Sequence, residues 1–404
     1  MQFLTRREFL HLIGLSIVTV ILSGCKPNSN DSDEISLERT QEMTTAKKLR
    51  LYVGTYTKTY GSAATQSKGI YLYELDASNG SLTQVACAAE TEQPSFLAFH
   101  PNHNVLYAAG ELMNFKGQPG GAISAFSIDK ETGLLSLLNQ QPTLGGAPCY
   151  VSVDQTGRYA LVANYMGGNA IIYPIQANGS LGDSSHTVQH QGKGPNTSRQ
   201  EGPHVHSVTI DPTNQYVMVA DLGIDKIMIY KFSEGQFFPN DPSWVDVTPG
   251  AGPRHMDFHP SGKFAYLINE LNCTITAFNY ESANGNLTEF QTVPTLPQDF
   301  QGENSCADIH IAPSGKFLYG SNRGHDSIVI YAIDDNGKLS YVGHESTQGE
   351  TPRNFAIDPD GNFLLAANQD SSSIITYWID GQTGKLTPTG NITQAPTPVC
   401  IKFL

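Results

Sequence analysis

The segment Glu201-Gly-Pro-His-Val-His-Ser places two histidines, His204 and His206, two positions apart in a strand-like run of alternating residues. Alternate residues of a strand share a face, so one carboxylate brought to that face completes either of two devices. The first is a metal site of two histidines and a carboxylate, and the second is a histidine–carboxylate pair for moving protons. The cationic residues bear on the choice. Gly252-Pro-Arg-His-Met sets Arg254 beside His255, Ser321-Asn-Arg ends in Arg323, and Thr351-Pro-Arg-Asn carries Arg353. Three guanidinium groups around Glu270 and a histidine repel a metal cation and suit bidentate binding of an anion. An anion site with an acid/base pair, His206 and Glu270, is therefore expected, without metal or cofactor. His204, His255, Asp308 and Glu111 are expected close by.

These residues lie far apart in the chain, and a repeat has to bring them together. Six segments fall into register with the histidine strand: Pro94-Ser-Phe-Leu-Ala-Phe-His, Pro148-Cys-Tyr-Val-Ser-Val-Asp, Pro253-Arg-His-Met-Asp-Phe-His, Cys306-Ala-Asp-Ile-His-Ile-Ala, Pro352-Arg-Asn-Phe-Ala-Ile-Asp and Pro398-Val-Cys-Ile-Lys-Phe. A turn, a second apolar strand, a third and a fourth follow each copy in the chain, and the last copy finds its partners at residues 49–88. Four-stranded units recurring at roughly 40 to 57 residues match the period of propeller blades. The expectation is an all-β, seven-bladed β-propeller over residues 49–404. The strand at the chain end would join the blade begun at residue 49 and close the ring.

Counting back from the Asp, His or Ala before each turn, positions −1 and −3 are apolar and pack between sheets by the period-two rule. Position −5 reads Ser95, Cys149, His206, Arg254, Ala307, Arg353 and Val399, and position −4 reads Phe96, Tyr150, Ser207, His255, Asp308, Asn354 and Cys400. About a common axis these side chains converge at one mouth of the channel. The second strands end at that mouth with Tyr56, Glu111, Tyr165, Leu222, Glu270, Arg323 and Gln369. The residues just before them are mostly Asn or Asp, a repetition that indicates turn capping. Glu270 and Arg323 break the repetition, so capping does not account for them.

With 24 Lys+Arg against 38 Asp+Glu the formal charge is −14, which excludes broad attraction to nucleic acid or anionic lipid. The first 25 residues read as an export signal: Arg6 and Arg7 form a twin-arginine start, an apolar run from Leu12 to Leu22 follows, and Leu22-Ser-Gly-Cys25 is a lipobox-like site for lipidation of Cys25. Residues 26–48 read as a polar, flexible tether. An exported monomer on the periplasmic side, touching membrane only through that lipid, is expected. The other five cysteines are scattered without a CxxC pair, so neither a disulfide framework nor a zinc ribbon is expected. The polar insert from Gly182 to Gly202 is expected to fold over the mouth as a lid.

The run His190-x-Gly-x-Gly, Arg199-Gln-x-x-Pro-His-Val-His-Ser, Gly252-Pro-Arg-His-Met-x-Phe-His-Pro, Asn269-Glu270, Ser321-Asn-Arg323 and Thr351-Pro-Arg-Asn354 resembles the lactonase family with a seven-bladed propeller. That family includes propeller-type 6-phosphogluconolactonases and carboxy-cis,cis-muconate cyclases. The resemblance implies a catalytic set of His206, Arg254, Glu270 and Arg323; Arg353, Arg199, His204, His255 and Asp308 are expected to contact substrate beside it. The implied reaction is hydrolysis of a small anionic, sugar-type lactone, with His206 or Glu270 as the base and Arg254 at the developing oxyanion. A muconate-type lactonising cyclase, or a non-catalytic propeller binding an anionic ligand or a protein, is the alternative.

Overall fold

The computed structural model describes residues 47–58 and 65–404. The signal, Cys25 and almost all of the tether lie outside the described residues. Seven four-stranded antiparallel sheets make up the fold, and one short helical turn, Leu222–Ile224, is the only helix among the described residues. Each blade runs outward from the axis in chain order, as in blade four with Val205–Ile210, Tyr216–Asp221, Lys226–Ser233 and Gln236–Asp246. The exception is blade one. There Lys48–Thr55, Gly69–Asp76 and Leu82–Glu90 take their innermost strand, Pro398–Phe403, from the chain end, with Val53 opposite Ile401.

The innermost strands touch in a closed circle, each against the innermost strands of the blades on either side. A blade is apolar on both faces, and burial at the junctions supplies the main stabilisation. Leu161, Ala163, Val208 and Val219 fill the junction of blades three and four, while Ile268, Ile275, Leu318 and Val329 fill that of blades five and six. Tyrosines latch neighbours across these junctions. The hydroxyls of Tyr52, Tyr107, Tyr266 and Tyr319 donate to the carbonyls of Gly133, Gly179, Gly337 and Gly384 in the next blade, at 2.7 to 2.9 Å.

One irregularity recurs in all seven blades and sets up the site. Pairing of the innermost strand with its neighbour slips by one residue near the mouth: Pro94 lies opposite Gly110 but Phe96 opposite Ala109, and Val205 opposite Asp221 but Ser207 opposite Ala220. The extra residue of such a bulge is unpaired and re-aims its side chain. The bulges fall at Ser95, Cys149, His206, Arg254, Arg353 and Val399, and between Cys306 and Ile309 in blade six. Strict alternation would turn positions −5 and −4 to opposite faces. The bulge lets both look into the channel.

Candidate active site

The column that interrupts the capping pattern is the centre of the mouth. Glu270 follows the second strand of blade five and is buried. Its Oε2 accepts from Arg254 Nε at 2.9 Å and lies 3.1 Å from Arg323 Nη2, while Oε1 accepts from Arg199. His206 approaches from blade four, with Nε2 3.9 Å from Glu270 Oε2 and Nδ1 3.7 Å from the Cys149 thiol. Arg323 is braced by donating to the Cys306 carbonyl at 2.7 Å. Arg254 likewise donates to the Ala307 carbonyl.

Arg353 stands on the opposite side of the mouth. Its Nη2 lies 3.7 Å from Glu111 Oε2, and its guanidinium lies over the Tyr56 ring, whose hydroxyl donates to Glu111 at 2.8 Å. Between the two sides lies a narrow cavity with room for about one water molecule, lined by bulged residues of five blades, Ser95, Cys149, Arg254, Arg353 and Val399, with Phe96, His255 and Asn354. Four arginines thus face two carboxylates at the mouth, a local positive excess on an acidic protein.

These charges fix the protonation states. Burial works against the charge of Glu270, yet Arg323, Arg254 and Arg199 together hold its carboxyl down to about 2. Burial, then Arg254, His255 and Arg353, push His206 well below the ordinary imidazole range. Burial also brings Arg254 down to about 10, with Arg323 and Arg353 acting in the same direction. At neutral pH the site therefore holds a fixed carboxylate, charged arginines and a neutral imidazole.

A second network lies beneath, along the axis. His255 Nδ1 is 2.8 Å from Asp308 Oδ1, and His310 Nε2 is 3.0 Å from Asp308 Oδ2. Asn354 Nδ2 also donates to Oδ2, and Asn354 Oδ1 accepts from the Ile401 amide at 2.7 Å. Burial and Arg254 push His255 down to about 3, so its ring is neutral and its Nδ1–H donates to Asp308. The remaining ring nitrogen, Nε2, then accepts from Arg254 Nη1 at 3.3 Å. Asp308 thereby orients Arg254 through His255. With both oxygens engaged, Asp308 supports the mouth from below and does not line the cavity.

His204, expected among the substrate contacts, turns away from Glu270. Its ring stacks on Tyr165 at 4.6 Å, Nδ1 meets the Tyr165 carbonyl at 3.1 Å and Nε2 meets Glu201 at 3.1 Å. Tyr165 stands edge-on to His206 at 5.4 Å. The bulge at His206 breaks the alternation that would have put both histidines on one face. Arg199 does reach the site, though the insert carrying it is not a simple lid: His186–Gln189 is the outer strand of blade three. The following loop is pinned by His190, whose Nδ1 is 2.7 Å from Asp221 Oδ2.

Tyr165, Cys149 and His310 were not among the expected site residues. Tyr165 and Cys149 stand in columns already read as mouth-facing, but tyrosine and cysteine there pass for packing. His310 belongs to position −2, whose ionisable members Asp257, His310 and Lys402 are a signal that the axis is polar along its length.

The fold is a seven-bladed β-propeller with a charged axial mouth. The family described as "Lactonase, 7-bladed beta-propeller" matches residues 50–403. A Bacillus subtilis 6-phosphogluconolactonase is 38% identical over 354 residues, covering 87% of this chain and 97% of that protein. Among solved structures, a Bacteroides fragilis protein provisionally described as a 6-phosphogluconolactonase superposes with a TM-score of 0.82 at 38% identity, covering 89% of this chain and 99% of that one. A periplasmic gluconolactonase of Pseudomonas aeruginosa gives 0.82 at 34% identity with the same coverage. The chain belongs to the seven-bladed β-propeller lactonase family, and it is a lactone-hydrolysing enzyme of the 6-phosphogluconolactonase-like kind.

Proposed function

We propose that the protein hydrolyses an anionic, sugar-type lactone at the axial mouth, with His206, Glu270, Arg254 and Arg323 doing the chemistry. The convergence of three arginines on Glu270, with neutral His206 3.9 Å away, carries this reading. Arg353, across the cavity, clamps the substrate's phosphate or carboxylate. Arg254, oriented from below through His255, faces the carbonyl oxygen as it gains charge.

Of the two candidate bases, His206 is favoured. A carboxyl held at about 2 takes a proton poorly, whereas a neutral imidazole has a free lone pair. The arginines that depress His206 are partly neutralised when an anion binds, so its basicity recovers once substrate is in place. Glu270 then stabilises the imidazolium that forms as water attacks. Collapse of the tetrahedral intermediate breaks the ring C–O bond, and His206 returns its proton to the leaving alkoxide.

The same reading covers the chain's address. The twin-arginine start and Leu22-Ser-Gly-Cys25 support an exported monomer tethered through a lipid on Cys25. Processing that survives Cys25→Ser would sink the anchor. For the chemistry, the full chain is assayed against gluconolactone, 6-phosphogluconolactone and muconolactone, with spontaneous hydrolysis subtracted and with and without EDTA. The anionic lactones are expected to have the higher kcat/KM, unchanged by EDTA. A preference for the neutral lactone contradicts the arginine clamp.

A further inference from the structure

Five cysteines scattered without a motif gave no reason to pair any of them, and among the described residues all five are free thiols. Two meet at the junction of blades five and six. Cys273 sits in the turn before the strand Thr274–Glu281, in a left-handed backbone conformation with φ 55°, and Cys306 lies on the innermost strand of blade six. One amide pair bridges the two thiols, with Asn304 Nδ2 donating to Asn322 Oδ1 at 3.3 Å. A polar cage surrounds them: Asn304 Nδ2 donates to Cys273 Sγ at 3.2 Å, Cys306 Sγ donates to Asn322 Oδ1 at 3.3 Å, and Thr295 Oγ1 is 3.0 Å from Cys306 Sγ. Both thiols border the apolar core of this junction, Cys306 fully buried and Cys273 8% exposed.

We propose that Cys273 and Cys306 are a redox-active dithiol, a site of oxidative modification that closes into a disulfide between blades five and six directly behind the catalytic cluster. The two thiols differ in the way such a pair requires. Cys273 is the more accessible of the two, and Cys306 and the donor Asn304 bring it down to about 7 against the opposing effect of burial, which makes it the attacking thiol. Burial and the neighbouring Cys273 push Cys306 well up, which makes it the resolving thiol.

With a small organic disulfide as oxidant, the Cys273 thiolate attacks one sulfur, forms a mixed disulfide and expels one thiolate. Cys306 then loses its proton to solvent and attacks Cys273 Sγ, expelling the second. Two protein thiols are oxidised and the oxidant is reduced to two thiols. Capping Cys273 removes the negative charge that had opposed ionisation of Cys306, so the first step prepares the second.

The location gives the bond a consequence. Cys273 is three residues beyond Glu270, the Cys306 amide donates to the Glu270 carbonyl at 3.1 Å, and the Cys306 carbonyl holds Arg323. Closure ties the turn carrying Glu270 to the strand bracing Arg323.

The test treats the full, folded chain with oxidised glutathione, blocks remaining thiols with iodoacetamide, and maps peptides without reduction. The expected product is an intramolecular Cys273–Cys306 cross-linked peptide, reversed by dithiothreitol. Closing a loop of this length also raises Tm by about 3–5 °C. Cys306→Ser is expected to stop at a stable glutathione adduct on Cys273, and Cys273→Ser to leave Cys306 unmodified. Circular dichroism confirms that both variants are folded. Absence of the cross-link in oxidised wild type, or faster modification of Cys87 than of Cys273, overturns the proposal. So does resolution of the adduct in Cys306→Ser by another cysteine.

Discussion

The two ends of the central channel are built from the same seven strands and do different work. At the turn end the chemistry repeats. Asp154, Asp211 and Asp358 each accept two backbone amides four and five residues on, at 2.6 to 2.7 Å, and His100 and His259 contact the Gly157 and Gly315 carbonyls of the next blade. At the mouth the same strands carry a serine, a cysteine, a histidine, two arginines, an alanine and a valine at one structural position. The turn end reuses two devices, an aspartate in three blades and a histidine in two, whereas the mouth position changes from blade to blade. In the proposed reading, departure from the repeat, more than residue type, separates function from fold.

If that division holds, substitutions at the mouth cost turnover and substitutions at the turn end cost stability. The largest effect is expected for His206→Ala, with kcat on the best lactone falling by about two to four orders of magnitude and Tm little changed. Arg353→Ala in the same assay is expected to raise KM by about tenfold or more with kcat nearly intact, because it binds ground and transition states alike. Near wild-type turnover of the His206 variant would place the chemistry elsewhere.

Asp211→Ala is the converse. It removes the acceptor for the Thr213, Gln215 and Tyr216 amides and for the Tyr280 hydroxyl, all in a buried setting. A loss of about 3 kcal/mol is expected, read by urea denaturation, with kcat per folded molecule unchanged. An unaltered midpoint with impaired kcat would reverse the assignment of the two ends. Glu270 is the residue that crosses the division. Glu270→Gln leaves three arginines without their counter-charge and is expected to lower both Tm and kcat.

The smallest effect sharpens the comparison through pH. His255 has a folded value of about 3, below the ordinary value near 6.5, and His206 is shifted in the same direction. Below about pH 6.5 the unfolded chain takes up protons that the folded mouth refuses, so stability falls with pH by up to about 1.4 kcal/mol per pH unit for each such group. Glu270, with a folded value of about 2, adds a loss that begins near pH 4.5 and deepens toward 2. Calorimetry should show Tm declining from pH 6.5 to 4.5 in wild type, with a shallower slope in His255→Gln. Equal slopes would mean that His255 is charged in the folded protein.

Much of this was legible in one dimension because a repeat supplies its own alignment. Seven matched copies display the strand pattern, the closure through residues 398–403 and the columns facing the mouth, so His206, Arg254, Glu270, Arg323 and Arg353 stand out in the letters alone. The asparagine column was also correctly read as structural: Asn164, Asn322 and Asn368 each donate to a mouth-loop carbonyl at 2.8 to 2.9 Å. Hydrophobic burial acts on whole faces, and its period survives in the letters.

What only the tertiary structure decided were the short-range matters that periodicity does not encode. A one-residue bulge in each blade turned His206 toward Glu270 and left His204 stacked on Tyr165. Packing of blade five on blade six brought Cys273 to Cys306 across 33 residues of chain. The protonation states on which the proposed choice of base rests depend on three arginines from three segments meeting one buried carboxylate. Electrostatic energies depend on distances of a few ångströms and on burial, and for residues more than a dozen positions apart both are set only when the ring closes.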